Sequence, residues 1–87
     1  TCPAPVINSV VRTGGFVVVL DFTAPPNSTN CTITVHDKTD NIFWFLPQGC
    51  NSPRTFNVDY KFHQYEIMVK SFSAACPNGT ESPWVSF

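Results

Sequence analysis

Tyr65-Glu66-Ile67-Met68-Val69-Lys70-Ser71 and, after a short gap, Asn78-Gly79-Thr80-Glu81-Ser82-Pro83-Trp84-Val85 decide how this chain folds. The first stretch sets Tyr, Ile, Val and Ser on one side and Glu, Met and Lys on the other, the two-residue period of a strand. The second is dense in Gly, Ser and Pro and leads into an apolar pair, so it predicts a hairpin and a returning strand. Together they predict the closing edge of an antiparallel sheet.

Working outward, only strand-length patterns appear. Pro3 and Pro5 precede an extended run over Val6 to Val11, and Gly14-Gly15 predict a turn. Phe16 to Phe22 alternates Phe16, Val18, Leu20 and Phe22 against Val17, Val19 and Asp21; both sides are mostly apolar, as in a central strand. Pro25-Pro26-Asn27-Ser28-Thr29-Asn30 reads as a loop. Cys31 to His36 reads as a strand with Cys31, Ile33 and Val35 inward, Asp37 to Asp40 as a turn, and Ile42 to Leu46 as the next strand. Thr55 to Val58, then Tyr60 to Phe62 leading into Tyr65 to Ala74, and finally Trp84 to Phe87 complete seven strands. The pattern predicts an antiparallel β-sandwich over residues 1–87 as one domain, with a core of Phe16 or Val18, Leu20, Phe22, Ile33, Val35, Tyr65, Ile67 and Val69.

A chain of 87 residues has room for a thin core, and domains of that size often carry covalent staples. Cys2, Cys31, Cys50 and Cys76 are too far apart for the short ligand spacings of a zinc knuckle, so two disulfides and an oxidising compartment are expected. Three acceptor tripeptides, at Asn27, Asn30 and Asn78, agree with an extracellular glycoprotein; Asn51-Ser52-Pro53 is blocked by its proline. The net charge is −1, with Arg12, Lys38, Arg54, Lys61 and Lys70 scattered, which argues against a nucleic-acid partner. No apolar run is long enough to cross a bilayer, and Thr1-Cys2-Pro3 does not open like a signal peptide. The expectation is an excised piece of a larger ectodomain.

Leu20-Asp21-Phe22-Thr23-Ala24-Pro25-Pro26, Cys31-Thr32-Ile33-Thr34-Val35, Tyr65-x-Ile67-x-Val69-x-Ser71 and Gly79-Thr80-Glu81-Ser82-Pro83 occur in the order of four motifs of the fibronectin type III domain, which the chain resembles over nearly its whole length. The resemblance implies an immunoglobulin-like sandwich of seven strands with Tyr65 as the core tyrosine. The four cysteines mark a divergent, disulfide-bearing member. An immunoglobulin domain proper would carry cysteines in its second and sixth strands, and neither strand has one. In the implied sandwich the four cysteines gather at one pole, with Cys31 and Cys50 flanking neighbouring strands; the expected pairs are Cys31–Cys50 and Cys2–Cys76. Asn27, Asn30 and Asn78 fall in loops at that same pole.

No residue group assembles into catalytic or cofactor-binding chemistry. His36 and His63 have no companion cluster and read as surface histidines, while Asp37 and Asp40 are ordinary turn residues. Cys50 with His63 as a base is the one nucleophile arrangement available, and a disulfide explains Cys50 better. The chain is too thin for a catalytic cleft of usual volume. A non-catalytic module is expected, contacting a protein ligand or neighbouring domains of the same chain. Its best contact residues are Phe43, Trp44 and Phe45 on an edge strand, extended by Met68 and Phe72 on the outward side of the sixth strand. Ser82-Pro83-Trp84-Val85-Ser86 is a partial match to the tryptophan-serine motif of cytokine receptors, which makes a cytokine-receptor-like ligand-binding domain the alternative, with a small secreted effector third. Trp84 itself reads as a core or hairpin residue, because Lys70 is the one basic neighbour available to it.

Overall fold

The computed structural model describes residues 2–87 and is all-β. Its strands are β1 (Val6–Thr13), β2 (Val17–Thr23), β3 (Ser28–Asp37), β4 (Ile42–Phe45), β5 (Arg54–Asn57), β6 (Tyr65–Ser73), β7 (Thr80–Glu81) and β8 (Val85–Ser86). Every pairing is antiparallel. One sheet has the order β1-β2-β5; the other runs β4-β3-β6-β7, with β8 also on β6. The two sheets share one core, the arrangement of a β-sandwich.

Eight strands replace the seven expected, because the returning strand is broken. Thr80 and Glu81 pair with Ser71 and Lys70, and Val85 and Ser86 pair with Ile67 and Glu66, but Pro83 has no N–H to continue the ladder. Ser82 repairs the gap. Its N–H donates to the Val69 carbonyl at 2.8 Å, and its hydroxyl accepts from the Val69 N–H at 3.0 Å. Residues 60–62, expected to lead into the sixth strand, lie in a turn instead.

Alternation sets the core. Val18, Leu20 and Phe22 of β2 meet Cys31, Ile33 and Val35 of β3 and Tyr65, Ile67 and Val69 of β6, with Val58 at the margin. Between the two alternatives Phe16 and Val18, the structure selects Val18: Phe16 precedes β2 and is 47% exposed. Tyr65 is 1% exposed, and its hydroxyl meets both the N–H and the carbonyl of Tyr60 at 3.2 Å. A buried tyrosine tied to the backbone five residues upstream fixes the entry of the chain into β6.

Disulfides join Cys31 to Cys50 and Cys2 to Cys76, with Cα separations of 4.9 and 6.4 Å. The first fastens the β4–β5 loop to the start of β3, where Gly49 also donates to the Cys31 carbonyl at 3.0 Å. The second joins the segment before β1 to the turn after β6.

Candidate functional site

The outer face of the five-stranded sheet gathers three exposed aromatic residues, Phe43, Phe45 and Trp84, while Phe16, Tyr60 and Phe62 are exposed elsewhere. Inward positions Ile33 and Val35 of β3 leave Thr34 and His36 outward, and inward Tyr65, Ile67 and Val69 of β6 leave Glu66, Met68, Lys70 and Phe72 outward. On β4 the register pairs Phe45 with Thr34 and Phe43 with His36, so both phenylalanines stand on the outer face. Phe43 is 54% and Phe45 67% exposed.

Trp44 is a correction to the sequence reading. It pairs with inward Val35, packs partly buried against the core, and meets Tyr65 edge-to-face at 5.9 Å. Its ring is part of the fold, not of the outer surface. Met68 does face outward but is only 8% exposed, and Phe72 is half-buried beneath the Lys70 ammonium, 5.4 Å from its ring. Of the five expected contact residues, then, Phe43 and Phe45 present free surface.

Trp84 takes the place that Trp44 was expected to hold. It is not a core residue: in the stretch between β7 and β8, at 42% exposure, it lies edge-on to His36 and Phe43, with centroids 6.2 and 6.3 Å away. The register explains this: Val85 pairs with inward Ile67, so the preceding residue faces the other way. No arginine interleaves with it: Arg12 sits on Tyr65, and Arg54 donates to Gly49 and Pro47 carbonyls.

His36 binds the group together. It lies within β3, stacks on Phe43 at 4.0 Å with planes 6° apart, and places Nδ1 2.7 Å from Glu66 Oε2 and Nε2 2.9 Å from Asn41 Oδ1. Both partners are acceptors, so the geometry is satisfied when both ring nitrogens carry protons. The hydrogen bond to Glu66, then that to Asn41, raise the His36 pKa above 6.5 against an opposing desolvation. In its protonated form the imidazolium stacks on the Phe43 ring, whose face favours a cation, and stands edge-to-face with Trp84.

Asp37, Asp40 and His63 form a second titratable group at the far end of β3, with ligand-type atoms within 4.8 Å of one another. Its bonds are accounted for. Asp37 Oδ1 accepts from the Thr39 and Asp40 N–H groups at 2.9 and 3.1 Å, and Oδ2 meets His63 Nδ1 at 2.8 Å. Burial alone would raise the Asp37 pKa, but these donors outweigh it and hold the carboxyl below 3.8. Asp37 therefore closes the β3–β4 turn, and His63 ties the β5–β6 loop to it.

Cys50 is held in its disulfide and offers no thiol to His63. Two surface clefts of about 340 and 330 Å³ are larger than so thin a chain was expected to form and reach the lower end of ligand-site volumes. Their linings of Pro, Ala, Ser and aliphatic residues include no carboxylate, histidine or lysine. Among the acceptor asparagines, Asn27 and Asn78 are exposed in turns, whereas Asn30 lies inside β3 and not in the loop where it was expected. Compared with models of known protein families and with curated proteins, the chain gave no match in either.

Proposed function

We propose that this chain is an extracellular, fibronectin type III-like interaction module that binds a protein partner side-on, through the outer face of the five-stranded sheet. The observation that carries the proposal is the exposed pair Phe43 and Trp84 packed on His36, with Phe45 exposed two residues further along β4 on the same face. Large aromatics in a cluster are the usual anchors of protein contacts. The sheet orders β1-β2-β5 and β4-β3-β6-β7 accord with the fibronectin type III arrangement once β7 and β8 are counted as one interrupted strand. Two disulfides in so small a domain are typical of extracellular proteins.

The test is a photo-reactive phenylalanine analogue placed at position 45 and, as a control, at position 11 in the opposite sheet, followed by irradiation on the surface of cells that carry the partner. Position 45 should give a discrete protein adduct that Trp84→Ala diminishes. Equal labelling from position 11, or adducts indifferent to Trp84→Ala, would place the contact elsewhere.

A further inference from the structure

We infer that two of the three acceptor asparagines, Asn27 and Asn78, carry N-linked glycans while Asn30 stays bare, so that sugar covers the disulfide pole and leaves the aromatic face open; this rests on the extracellular reading above. The structure separates the three sites by the freedom of the carboxamide nitrogen, which is the atom that reacts. Its Nδ2 forms a bond to the anomeric carbon of an oligosaccharide carried on a polyprenyl diphosphate. The carbon–oxygen bond to the diphosphate breaks, the polyprenyl diphosphate leaves with the electron pair, and the amide gives up one proton.

Asn27 and Asn78 hold the same position in two separate turns. In Pro25-Pro26-Asn27-Ser28 the Ser28 N–H donates to the Pro25 carbonyl at 3.3 Å, and Asn27 has φ of 66°, the left-handed third position of a proline-led turn. In Cys76-Pro77-Asn78-Gly79 the Gly79 N–H donates to the Cys76 carbonyl at 3.1 Å, and Gly79 follows with φ of 87°. Each asparagine thus comes directly after a proline, at a turn apex, exposed. Neither side chain has a hydrogen-bond partner among the described residues, so a bulky substituent on Nδ2 breaks nothing in the fold.

Asn30 differs in every respect. It lies in β3 opposite Phe72, half-buried, with Nδ2 donating to Gln48 Oε1 at 3.1 Å and Oδ1 accepting from the Cys31 N–H at 2.9 Å. The middle residue of its tripeptide is Cys31, wholly buried and bonded to Cys50. A sugar on Asn30 would have to fit beside Gln48, which already takes one of the two Nδ2 protons, against the loop that this disulfide closes. Closure of the Cys31–Cys50 bond during folding in turn removes the tripeptide from reach. Asn27 also lines the 340 Å³ cleft at this pole, and Thr80, the hydroxyl residue of the third tripeptide, lines the same cleft. One glycan therefore stands at the rim of this cleft, and the other is attached two residues along the chain from it.

The test is peptide mapping of the wild-type chain secreted from eukaryotic cells, after enzymatic removal of glycans, which converts each previously glycosylated asparagine to aspartate. The mass change is expected at positions 27 and 78 and not at 30. In parallel, Asn27→Gln and Asn78→Gln should each remove one glycan step in electrophoresis and Asn30→Gln none. A secreted chain with both disulfides formed but with sugar on Asn30, or with none on Asn27 and Asn78, overturns the inference and leaves the extracellular reading intact. Four free thiols in protein taken from its native source would overturn that reading, and the inference with it.

Discussion

The guanidinium of Arg12 lies 4.9 Å above the ring centre of Tyr65. From there it donates to the carbonyls of Gly15 at 2.9 Å, Tyr60 at 2.7 Å and His63 at 2.9 Å, and also to that of Lys61. One side chain of β1 thus organises the β1–β2 turn and the β5–β6 loop around the core tyrosine. Arg12→Ala should lower unfolding stability by about 2–3 kcal/mol, because several carbonyls lose a charged donor together. Arg12→Lys keeps the charge but not the planar fork, and should recover less than half of the loss. Urea unfolding at neutral pH decides this: a lysine variant as stable as the wild type would mean that charge alone matters.

Placement before or within β2 makes a paired prediction. Phe22 is 3% exposed and Phe16 47%. Phe22→Ala should cost about 3–5 kcal/mol, while Phe16→Ala should fall within about 0.5–1 kcal/mol of the wild type, as an exposed substitution does. Similar melting temperatures for the two variants would contradict the inward assignment of Val18, Leu20 and Phe22.

The two tryptophans should separate stability from binding. Trp44→Ala removes a ring that packs on Tyr65 and the core, and a loss of about 2–4 kcal/mol is expected. Trp84→Ala should leave thermal unfolding within about 1 kcal/mol of the wild type and weaken capture of the cross-linked partner about fivefold or more, equivalent to about 1 kcal/mol. The reverse assignment of effects would return the contact surface to Trp44.

His36 gives the fold a pH dependence of definite sign. Its folded pKa is raised, so its stabilisation is complete below 6.5 and is lost as pH rises from there through the folded value. Asp37 works the other way: its depressed pKa contributes above 3.8 and is lost as pH falls through its lower folded value. Melting temperatures measured from below pH 6.5 upward should show a decline on the alkaline side that Glu66→Gln largely removes. An unchanged slope in that variant would detach the effect from the His36–Glu66 pair.

The disulfides should be unequal in weight. Their sequence separations are 19 residues for Cys31–Cys50 and 74 for Cys2–Cys76. Loop-closure entropy then assigns them roughly 3 and 4.5 kcal/mol respectively. Replacing each pair by alanines and comparing denaturant midpoints tests the order; a costlier loss of Cys31–Cys50 would show that its hold on the Gly49 loop outweighs chain entropy.

Strand parity was legible wherever one face alone is apolar. Tyr65, Ile67 and Val69 could be placed inward from their period, as could Cys31, Ile33 and Val35, since a one-residue slip would bury Glu66 or Lys70. Ile42 to Phe45 gave no such contrast: all four residues are large and apolar, and which of them faces outward is fixed by the register with β3, a pairing that local sequence does not encode. That is why Trp44 was assigned to the wrong side. His36 was hidden for a related reason, because its partners come from three segments: Asn41 and Phe43 from the β3–β4 hairpin, Glu66 from β6 and Trp84 from the stretch before β8. Ser82 and Pro83 were visible as turn residues, yet a serine hydroxyl substituting for a ladder acceptor has no local signature.

The bond between Cys2 and Cys76 also sets how the module responds to tension along its chain. A pull arriving through Cys2 passes across the sulfur atoms directly to the end of β6 and bypasses the β1–β2 ladder, so the three-stranded sheet is never loaded and cannot be peeled away. Residues 3–75 are locked inside a covalent loop. Only residues 77–87 can be drawn out, beginning with the short β7 and β8 pairs, which gives roughly 40 Å of extension where the unlinked chain would give roughly 300 Å. Under load the oxidised module is a nearly inextensible link, and reduction of this single bond would turn it into a long, yielding one.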